Sequence, residues 1–492
     1  MKKIFLGILL ITFTCYSNAQ NEESIVIGKK VTIYSNTLKE NRKIWIYTPT
    51  TTASIPVSDK RYPVLYLLDG DSHFLSTVGI IQQLSQANGN AVLPEMIIVG
   101  IENTNRLRDL TPVSVKTDSV ETANPFIHFL SSELIPYIDK NYSTAPYKLL
   151  AGHSLGGLTA IDILTNTPDM FNSYIAIDPS MWYDNETFLN NAITKLPKQN
   201  LRNKRLFIGI ANTMPAGMNL SQLKNDKSPK TQHIRSILKL DNFLSHNSNL
   251  ALKYSSKYYE NDNHNSVPLI SEYDALRFVF NYFSMQATEE DFADSTSLIA
   301  AKLKLHYDNI TREMGYKVAP LEAVINYFAY DALSKKQFSK AEAFIKLNIE
   351  NYPNSAKAFD AYADYFIALR DTANAIVNYK KALVKSDDIS IRNKLNSVTH
   401  KVNFSVAEND LRKYTGEYLL ETYKITITLE LRNGKLYAKV AGQADDEFLP
   451  VSKDVFTVKD KQGYTVTFLM NGEKPIGFTS VQPNGIFKAT LE

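Results

Sequence analysis

The sequence predicts an α/β protein with a doubly wound, mostly parallel sheet, followed by helical hairpins and a small antiparallel β domain. Three observations predict this. Strand-like and helix-like segments alternate from residue 24 to about residue 287, apolar residues then recur with a 34-residue period, and short β-like runs separated by Asn-Gly turns fill the last ninety residues. At 492 residues, the chain is also too long for one ordinary core.

The strand-like runs of the first region are mostly rich in Val, Ile, Leu and Tyr, and the middle ones are apolar throughout, as expected for strands covered on both faces. They are Ile25–Tyr34, Lys43–Tyr47, Val64–Leu68, Met96–Ile101, Lys148–Ala151, Ser173–Ile177, Arg205–Ile210 and Leu250–Tyr259. Helical patterns lie between them, most clearly at 125–140, 155–166, 232–246 and 267–283. This alternation predicts a doubly wound sheet.

The rest of the chain predicts two further regions. Phe359, Tyr362, Ala375 and Tyr379 occupy tetratricopeptide-like positions, and a matching set lies 34 residues earlier, although a helical hairpin with accidental spacing is the alternative. Asn-Gly pairs at 433, 471 and 484 then indicate hairpins of a small antiparallel barrel or sandwich. The predicted domains are a signal peptide (1–20), the α/β domain (21–287), helical repeats with their linker (288–400) and the β domain (401–492).

The first twenty residues predict export. Lys2 and Lys3 precede a short apolar run, and Ser17-Asn18-Ala19 supplies a cleavage site ahead of Gln20. Cys15 leaves lipidation as an alternative. Because Cys15 is the only cysteine, the mature chain would have none, which excludes disulfides, thiol catalysis and Cys-ligated metal. The formal charge falls from +3 to +1 without the two lysines, too little to attract nucleic acid or anionic lipid.

The segment with the clearest chemistry is Gly152-His153-Ser154-Leu155-Gly156, which lies between an apolar strand and a small-residue helix. This Gly-x-Ser-x-Gly arrangement is the nucleophile elbow of the α/β-hydrolase fold. Its turn is tight, so the neighbours of the nucleophile must be small. Ser154 is therefore the candidate nucleophile.

The general base of such a serine follows the last strand of the domain. His73, His128 and His153 precede Ser154, and His233 and His246 fall on a helical pattern. Among the remaining histidines, His264 lies in a polar turn directly after the strand that ends near Tyr259. We therefore expect His264 to be the base.

The acid is less clearly indicated. It is expected after the strand Arg205–Ile210, but that strand is followed by Ala211-Asn212-Thr213 without a carboxylate. Asp226 is the next acid along the chain and is our first candidate. Glu260 and Asp262, close to His264, and a Ser–His dyad without an acid are the alternatives.

The second oxyanion donor is expected in the loop after Val64–Leu68, where Gly70 permits close backbone approach to a ligand. The backbone at Gly70 and Asp71 and the Leu155 N–H are the candidate oxyanion hole. Arg106 follows another strand at the same sheet edge and is a candidate substrate-binding residue, with a structural ion pair as the alternative. His153, next to the nucleophile, is a further candidate for substrate binding.

Four segments together resemble the esterase D superfamily, which includes siderophore, feruloyl and acetyl-xylan esterases. They are Tyr62-Pro63-Val64-Leu65-Tyr66-Leu67-Leu68-Asp69-Gly70, the elbow Gly152–Gly157, Ile177-Asp178-Pro179-Ser180-Met181-Trp182-Tyr183 and Asp262-Asn263-His264. The resemblance covers roughly residues 25–285. It implies that Ser154 and His264 are catalytic and that Ser180–Trp182 lie near the pocket wall, so Trp182 is a candidate substrate contact. Family members with a weak or missing acid are compatible with a dyad.

The expected function is that of an exported, cofactor-free serine esterase that hydrolyses a small or medium ester through an acyl-enzyme. A siderophore, feruloyl or acetyl-sugar ester is the expected substrate, and a protein partner is expected at the tetratricopeptide-like region. No metal-ligand spacing, phosphate loop, basic stripe or membrane-spanning segment is present in the sequence. A peptidase or acyltransferase on the same fold and a non-catalytic binding scaffold are the alternatives.

Overall fold

A computed structural model of the protein describes residues 24–49, 60–87, 91–112, 124–399, 406–461 and 463–492. The predicted signal peptide, with Cys15, lies outside these residues. Within them, no helix combines the length and the hydrophobicity that crossing a membrane requires.

An eight-stranded sheet organises the first region, in the order β1-β2-β4-β3-β5-β6-β7-β8. Strands β1 and β2 run antiparallel at one edge, and every pairing from β4 through β8 is parallel. The strands are β1 Lys29–Ser35, β2 Glu40–Tyr47, β3 Tyr62–Leu67, β4 Ile97–Ile101, β5 Thr144–His153, β6 Ser173–Ile177, β7 Arg205–Ala211 and β8 Lys253–Tyr259. This is an α/β-hydrolase sheet, so the predicted fold class is confirmed.

Helices cover both faces of this sheet, which explains why its central strands are apolar throughout. The helices are α1 Gly70–Ser85, α2 Arg106–Leu110, α3 Pro125–Phe129, α4 Ile135–Asn141, α5 Leu155–Asn166, α6 Thr187–Lys195, α7 Leu220–Leu223, α8 Gln232–His246 and α9 Val267–Val279. One buried cluster packs α1 and α9 on one face, and a second packs α3 to α6 and α8 on the other. The parallel strands therefore end at one common edge, where the polar loops meet.

The next region of the chain is helical, and it packs directly against the sheet region. Its helices are α10 Glu289–Ala293, α11 Leu298–Met314, α12 Glu322–Ser334, α13 Phe338–Asn351, α14 Ala356–Ala368, α15 Thr372–Lys385 and α16 Ile389–Thr399. Helices α12 and α14 begin at Glu322 and Ala356, 34 residues apart, as the sequence period predicts. The tetratricopeptide assignment and the domain boundaries stay predictions.

Helix α11 belongs to two cores. Ile299 and Leu303 near its start lie in the cluster of the helical region, whereas Ile310 and Met314 near its end lie in the cluster of α1 and α9. The Arg205 guanidinium on β7 also donates to Glu313 over 2.9 Å. The first two regions are therefore joined by a shared helix.

A closed, eight-stranded antiparallel barrel ends the chain, in the order β10-β11-β12-β13-β14-β15-β16-β9. The predicted choice between barrel and sandwich is thus resolved in favour of the barrel. A short helix, α17 Glu408–Leu411, precedes its strands. The strands are β9 Gly416–Leu420, β10 Ile425–Arg432, β11 Lys435–Lys439, β12 Asp446–Ser452, β13 Val455–Val458, β14 Thr465–Asn471, β15 Lys474–Gln482 and β16 Gly485–Leu491. The three predicted Asn-Gly turns lie at the β10–β11, β14–β15 and β15–β16 connections.

One carboxyl is buried between α1 and α9 without a cation. Glu272 is 3% exposed and forms no ion pair within the described part of the chain. Its carboxyl oxygens lie 2.8 and 3.0 Å from Thr77 Oγ1, and that hydroxyl also lies 2.9 Å from the His73 carbonyl. Burial raises the pKa of Glu272 to about 7.

We expect Glu272→Gln to stabilise the protein at pH 8 and to leave its stability nearly unchanged at pH 4. The unfolded carboxyl loses its proton near pH 4.3, whereas the folded one keeps it to about pH 7, so stability falls between these values as the pH rises. The gain at pH 8 should be on the order of 1–3 kcal/mol, because the amide has no charge to desolvate. Thermal melts at both pH values, with the exposed Glu473→Gln as control, measure it. A gain of equal size at both pH values would contradict this account.

Candidate active site

The nucleophile elbow connects β5 to α5. Ser154 has φ 58° and ψ −112°, a strained conformation that lifts its side chain out of the strand, and helix α5 begins at the next residue. A Cβ atom on Gly152 would lie 2.4 Å from the Gly156 backbone, so this position tolerates only glycine. The elbow predicted from the sequence is therefore present in its full geometry.

The predicted base lies opposite the nucleophile. His264 is in the turn between β8 and α9, and its Nε2 atom is 3.1 Å from Ser154 Oγ. The Ser154 hydroxyl also lies 3.2 Å from the hydroxyl of Ser180. Ser154 therefore has two polar neighbours, of which only His264 has a nitrogen that can take its proton.

Asp178 is the carboxylate that orients His264. It directly follows β6, its side chain is fully buried, and Oδ2 lies 2.6 Å from His264 Nδ1. The same oxygen lies 2.8 Å from His233 Nε2, and Oδ1 accepts the Ala211 N–H over 3.0 Å. Because a carboxylate only accepts, His264 carries its proton on Nδ1, and its Nε2 is free to accept the Ser154 hydroxyl.

The same contacts determine the charge of Asp178. Burial alone would raise the pKa of this carboxyl, but the hydrogen bonds from His233 and His264 outweigh it and hold the pKa well below the usual range. Asp178 therefore stays ionised at any pH at which the protein is expected to fold. A permanent negative charge therefore lies 2.6 Å from the His264 ring.

The expectation that Asp226 bonds to His264 is corrected by this geometry. Asp226 lies between α7 and α8, where its carboxylate accepts hydrogen bonds from Ser228 and Thr231. Of the two alternative carboxylates, Asp262 accepts a hydrogen bond from the Ser266 hydroxyl, and Glu260 makes no hydrogen bond to the ring of His264. The expected position follows β7, whereas the carboxylate that contacts His264 follows the neighbouring strand β6 and reaches across the end of β7. The sequence signal for this carboxylate is the position of Asp178 directly after an apolar strand.

The candidate oxyanion donors lie at the starts of two helices. The first N–H groups of a helix have no intrahelical partner, which applies to Gly70 and Asp71 in α1 and to Leu155 in α5. A Cβ atom on Gly70 would lie 2.5 Å from the backbone of Gly100 and Ile101, so α1 begins in direct contact with β4. The sheet thus supports the backbone at this position.

Arg106 secures the loop before α1. Its Nε and Nη2 atoms donate to the two oxygens of Asp69 over 2.6 and 2.9 Å, and Nη2 also contacts the His153 carbonyl at 3.2 Å. This is the structural ion pair considered as the alternative for Arg106. Its Nη1 atom makes no hydrogen bond to the described residues.

The other two predicted substrate contacts are His153 and Trp182. The His153 ring lies 4.5 Å from the His264 ring, and its Nε2 is buried without a hydrogen-bond partner in the described ranges. Burial, and then the neighbouring His264 and His73, lower the pKa of His153 to about 4, so its ring is neutral at pH 7. Trp182 is 42% exposed, in the turn that follows Ser180.

Asp178, His233 and His264 also place three metal-type donor atoms within 4.8 Å of one another. The two histidines, however, direct N–H groups at the shared carboxylate oxygen. Hydrogen bonding therefore accounts for the cluster in this state. A metal would need both nitrogens deprotonated and would compete with the bond that orients His264.

The sequence profile of a family described as "Putative esterase" matches residues 35–265, the part of the chain that contains all these groups. This part of the chain is therefore similar to that family. A second profile, a domain of unknown function (DUF3471), matches residues 400–485 in the barrel.

The same region is also similar to named relatives. The ferri-bacillibactin esterase of Bacillus subtilis is 30% identical over 33% of this chain and 62% of its own length. The siderophore enterobactin esterase of Emericella nidulans is 27% identical over 29% of this chain and 54% of its own length. The chain thus spans less than two thirds of the length of these curated relatives.

Solved structures resemble it over longer stretches. An IroE-like serine hydrolase from Shewanella oneidensis is 27% identical, with a TM-score of 0.53, over 66% of this chain and 99% of its own. A protein from Capnocytophaga ochracea, 19% identical with a TM-score of 0.52, covers 76% of this chain and 99% of its own, a likeness of fold alone.

We expect Gly70→Ala to destabilise the sheet region by roughly 1–3 kcal/mol, because the new methyl group overlaps the β4 backbone and α1 must move. Gly79→Ala, on the same helix, is the matched control: a Cβ atom there meets nothing within 4 Å, and alanine favours a helix. Thermal unfolding of both variants measures the difference. Equal melting temperatures would mean that α1 does not depend on its contact with β4.

Proposed function

We propose that the protein is a serine carboxylic-ester hydrolase in which Ser154 is the nucleophile, His264 the general base and Asp178 the acid. The observation that carries this proposal is the unbroken chain of contacts from Ser154 Oγ through His264 to Asp178, over 3.1 and 2.6 Å. A serine hydroxyl, a correctly oriented imidazole and a buried carboxylate are the parts that acyl transfer needs.

In the proposed reaction, Ser154 Oγ attacks the ester carbonyl while its proton passes to His264 Nε2. The imidazolium that forms lies against the ionised Asp178. The tetrahedral intermediate then collapses, the alcohol leaves with the proton from His264, and the acyl group stays on Ser154. Water, activated by the same nitrogen, releases the acid.

The negative charge of the tetrahedral intermediate needs donors that are already oriented. The Leu155 N–H and the backbone at Gly70 and Asp71 are the proposed donors, since both helix starts lie at the carboxyl edge of the sheet. Arg106 has a positioning role in this scheme, because it holds Asp69, the residue before Gly70.

His233 is the unusual part of the proposed site. Its N–H shares the Asp178 oxygen that His264 uses, so Asp178 has a hydrogen bond from a second ring that takes no part in the proposed proton transfer. We infer that His233 fixes the Asp178 carboxylate and is not itself a base for Ser154, because its ring nitrogen is engaged by Asp178.

The proposed substrate is a small or medium ester of the siderophore type. The names of the relatives, a ferri-bacillibactin esterase and an enterobactin esterase, support this class. The site has features that suit such a substrate: the exposed Trp182 offers an apolar surface, and Arg106 Nη1 is a donor for a carbonyl or catecholate oxygen. Export, expected from the first twenty residues, is part of the same proposal.

Ser154→Ala should reduce hydrolysis of p-nitrophenyl acetate by roughly 10⁴-fold or more and abolish labelling by a fluorophosphonate probe, because the nucleophile is missing. Ser180→Ala is the matched control, since Ser180 Oγ is only 3.2 Å away but has no hydrogen bond to a histidine. That variant should still be labelled. Persistent labelling of the Ser154→Ala protein would refute the assignment, and an unlabelled wild-type protein would favour a binding scaffold.

Asp178→Asn should lower kcat by roughly 10³- to 10⁴-fold, because an amide no longer fixes the His264 tautomer or stabilises the imidazolium. Asp226→Asn should stay within about threefold of wild type, since that side chain only closes a local turn. Steady-state kinetics measure both, with circular dichroism to establish folding. The reverse result, an impaired Asp226→Asn and a normal Asp178→Asn, would return the acid to Asp226.

A further inference from the structure

The two ends of the C-terminal barrel are filled differently. At one end, aromatic side chains occupy the interior: Tyr414 lies 4.4 Å from Phe468 and 5.1 Å from Phe456, measured between ring centres. Leu411 of α17 adds to this cluster. This end is therefore closed by the protein's own side chains, as is usual for small barrels.

The other end contains a cavity of about 410 Å³. Its walls come from the last residues of β9, β11, β13 and β15 and the first residues of β10, β12, β14 and β16, which all meet at one end of an antiparallel barrel. The apolar lining residues include Ile427, Ala438, Phe448, Val466, Phe478 and Phe487. An eight-stranded barrel is wide enough to hold one small ligand when its side chains do not fill it.

The lining favours an aromatic ligand. Rings of Tyr423, Phe448, Tyr464, Phe478 and Phe487 contribute to the walls, and Tyr423 and Phe487 lie 5.9 Å apart at the mouth. Aromatic rings bury a large apolar area and pack on other rings in edge-to-face or offset geometry. A flat ring would therefore gain more contact here than a flexible chain.

The rim of the cavity is polar but electrically balanced. Asp446 and Lys461 form an ion pair over 2.8 Å, and Gln443, Gln482 and Asn484 supply neutral donors and acceptors. A charged ligand would have to break that ion pair or lie beside the partner that carries its own sign of charge. A neutral ligand with one polar group would meet the amides instead.

We propose that the open end of the barrel is a binding site for a small, neutral aromatic molecule that carries a polar group. The ring lies in the cavity against Phe448, Phe478 and Phe487, and the polar group faces the amide side chains at the rim. This site shares no residue with the Ser154 site and does not depend on the proposed esterase activity. Pockets of this volume, with apolar walls and a few polar groups, are typical ligand sites.

The test uses the full-length protein and the fluorescent neutral probe N-phenyl-1-naphthylamine. We expect saturable fluorescence enhancement with the wild type and about a tenfold or greater loss of affinity in Ala438→Leu, whose larger side chain fills the cavity. Leu469→Ala is the control, because Leu469 is 44% exposed on the outside of β14. That variant should bind as the wild type does, and ester turnover should be equal in all three proteins.

A second variant keeps the proposal testable if Ala438→Leu fails to fold. Phe487→Ala removes an aromatic wall without adding volume, and it should weaken probe binding about fivefold or more. Unchanged affinity in Phe487→Ala, or an equal loss in Leu469→Ala, would overturn the proposal. Absence of saturable binding to the wild type would overturn it as well.

Discussion

The Asp178 carboxylate is an ionised group without solvent exposure, and it is stable there because three hydrogen bonds replace its water. The donors come from three separate elements: the end of β7, helix α8 and the turn after β8. One side chain therefore determines how the loops at this sheet edge are arranged. His264 is oriented towards Ser154 only while that arrangement holds.

The site residues differ in how far the sequence could predict them. Ser154 is part of a contiguous motif in which Gly152 is required by its contact with the Gly156 backbone, so a short stretch of sequence carries the signal. His264 could be proposed as the base because chain order places that residue after the last strand. Asp178, the proposed acid, follows an apolar strand as an acid should, but local sequence does not show which of two neighbouring strand ends reaches His264. Asn212, at the expected position, makes a hydrogen bond to the Glu260 carbonyl instead.

The same distinction applies to the fold. Apolar runs and the 34-residue period can be read directly along the sequence. The corresponding strands and helices are found at the expected places. Closure of the barrel depends on β9 pairing with β16, two strands separated by most of the domain. The alternating pattern of each strand is the same in a barrel and in a sandwich, so only the structure distinguishes them.

Helix α11 has a mechanical consequence. Its seventeen residues form a helix about 25 Å long. One end is buried in the core of the sheet region and the other in the core of the helical region. Neither core can move away from the other without exposing apolar side chains of α11 to water. The two cores should consequently behave as one cooperative unit, and a force applied to the helical region would be transmitted to the sheet through α11.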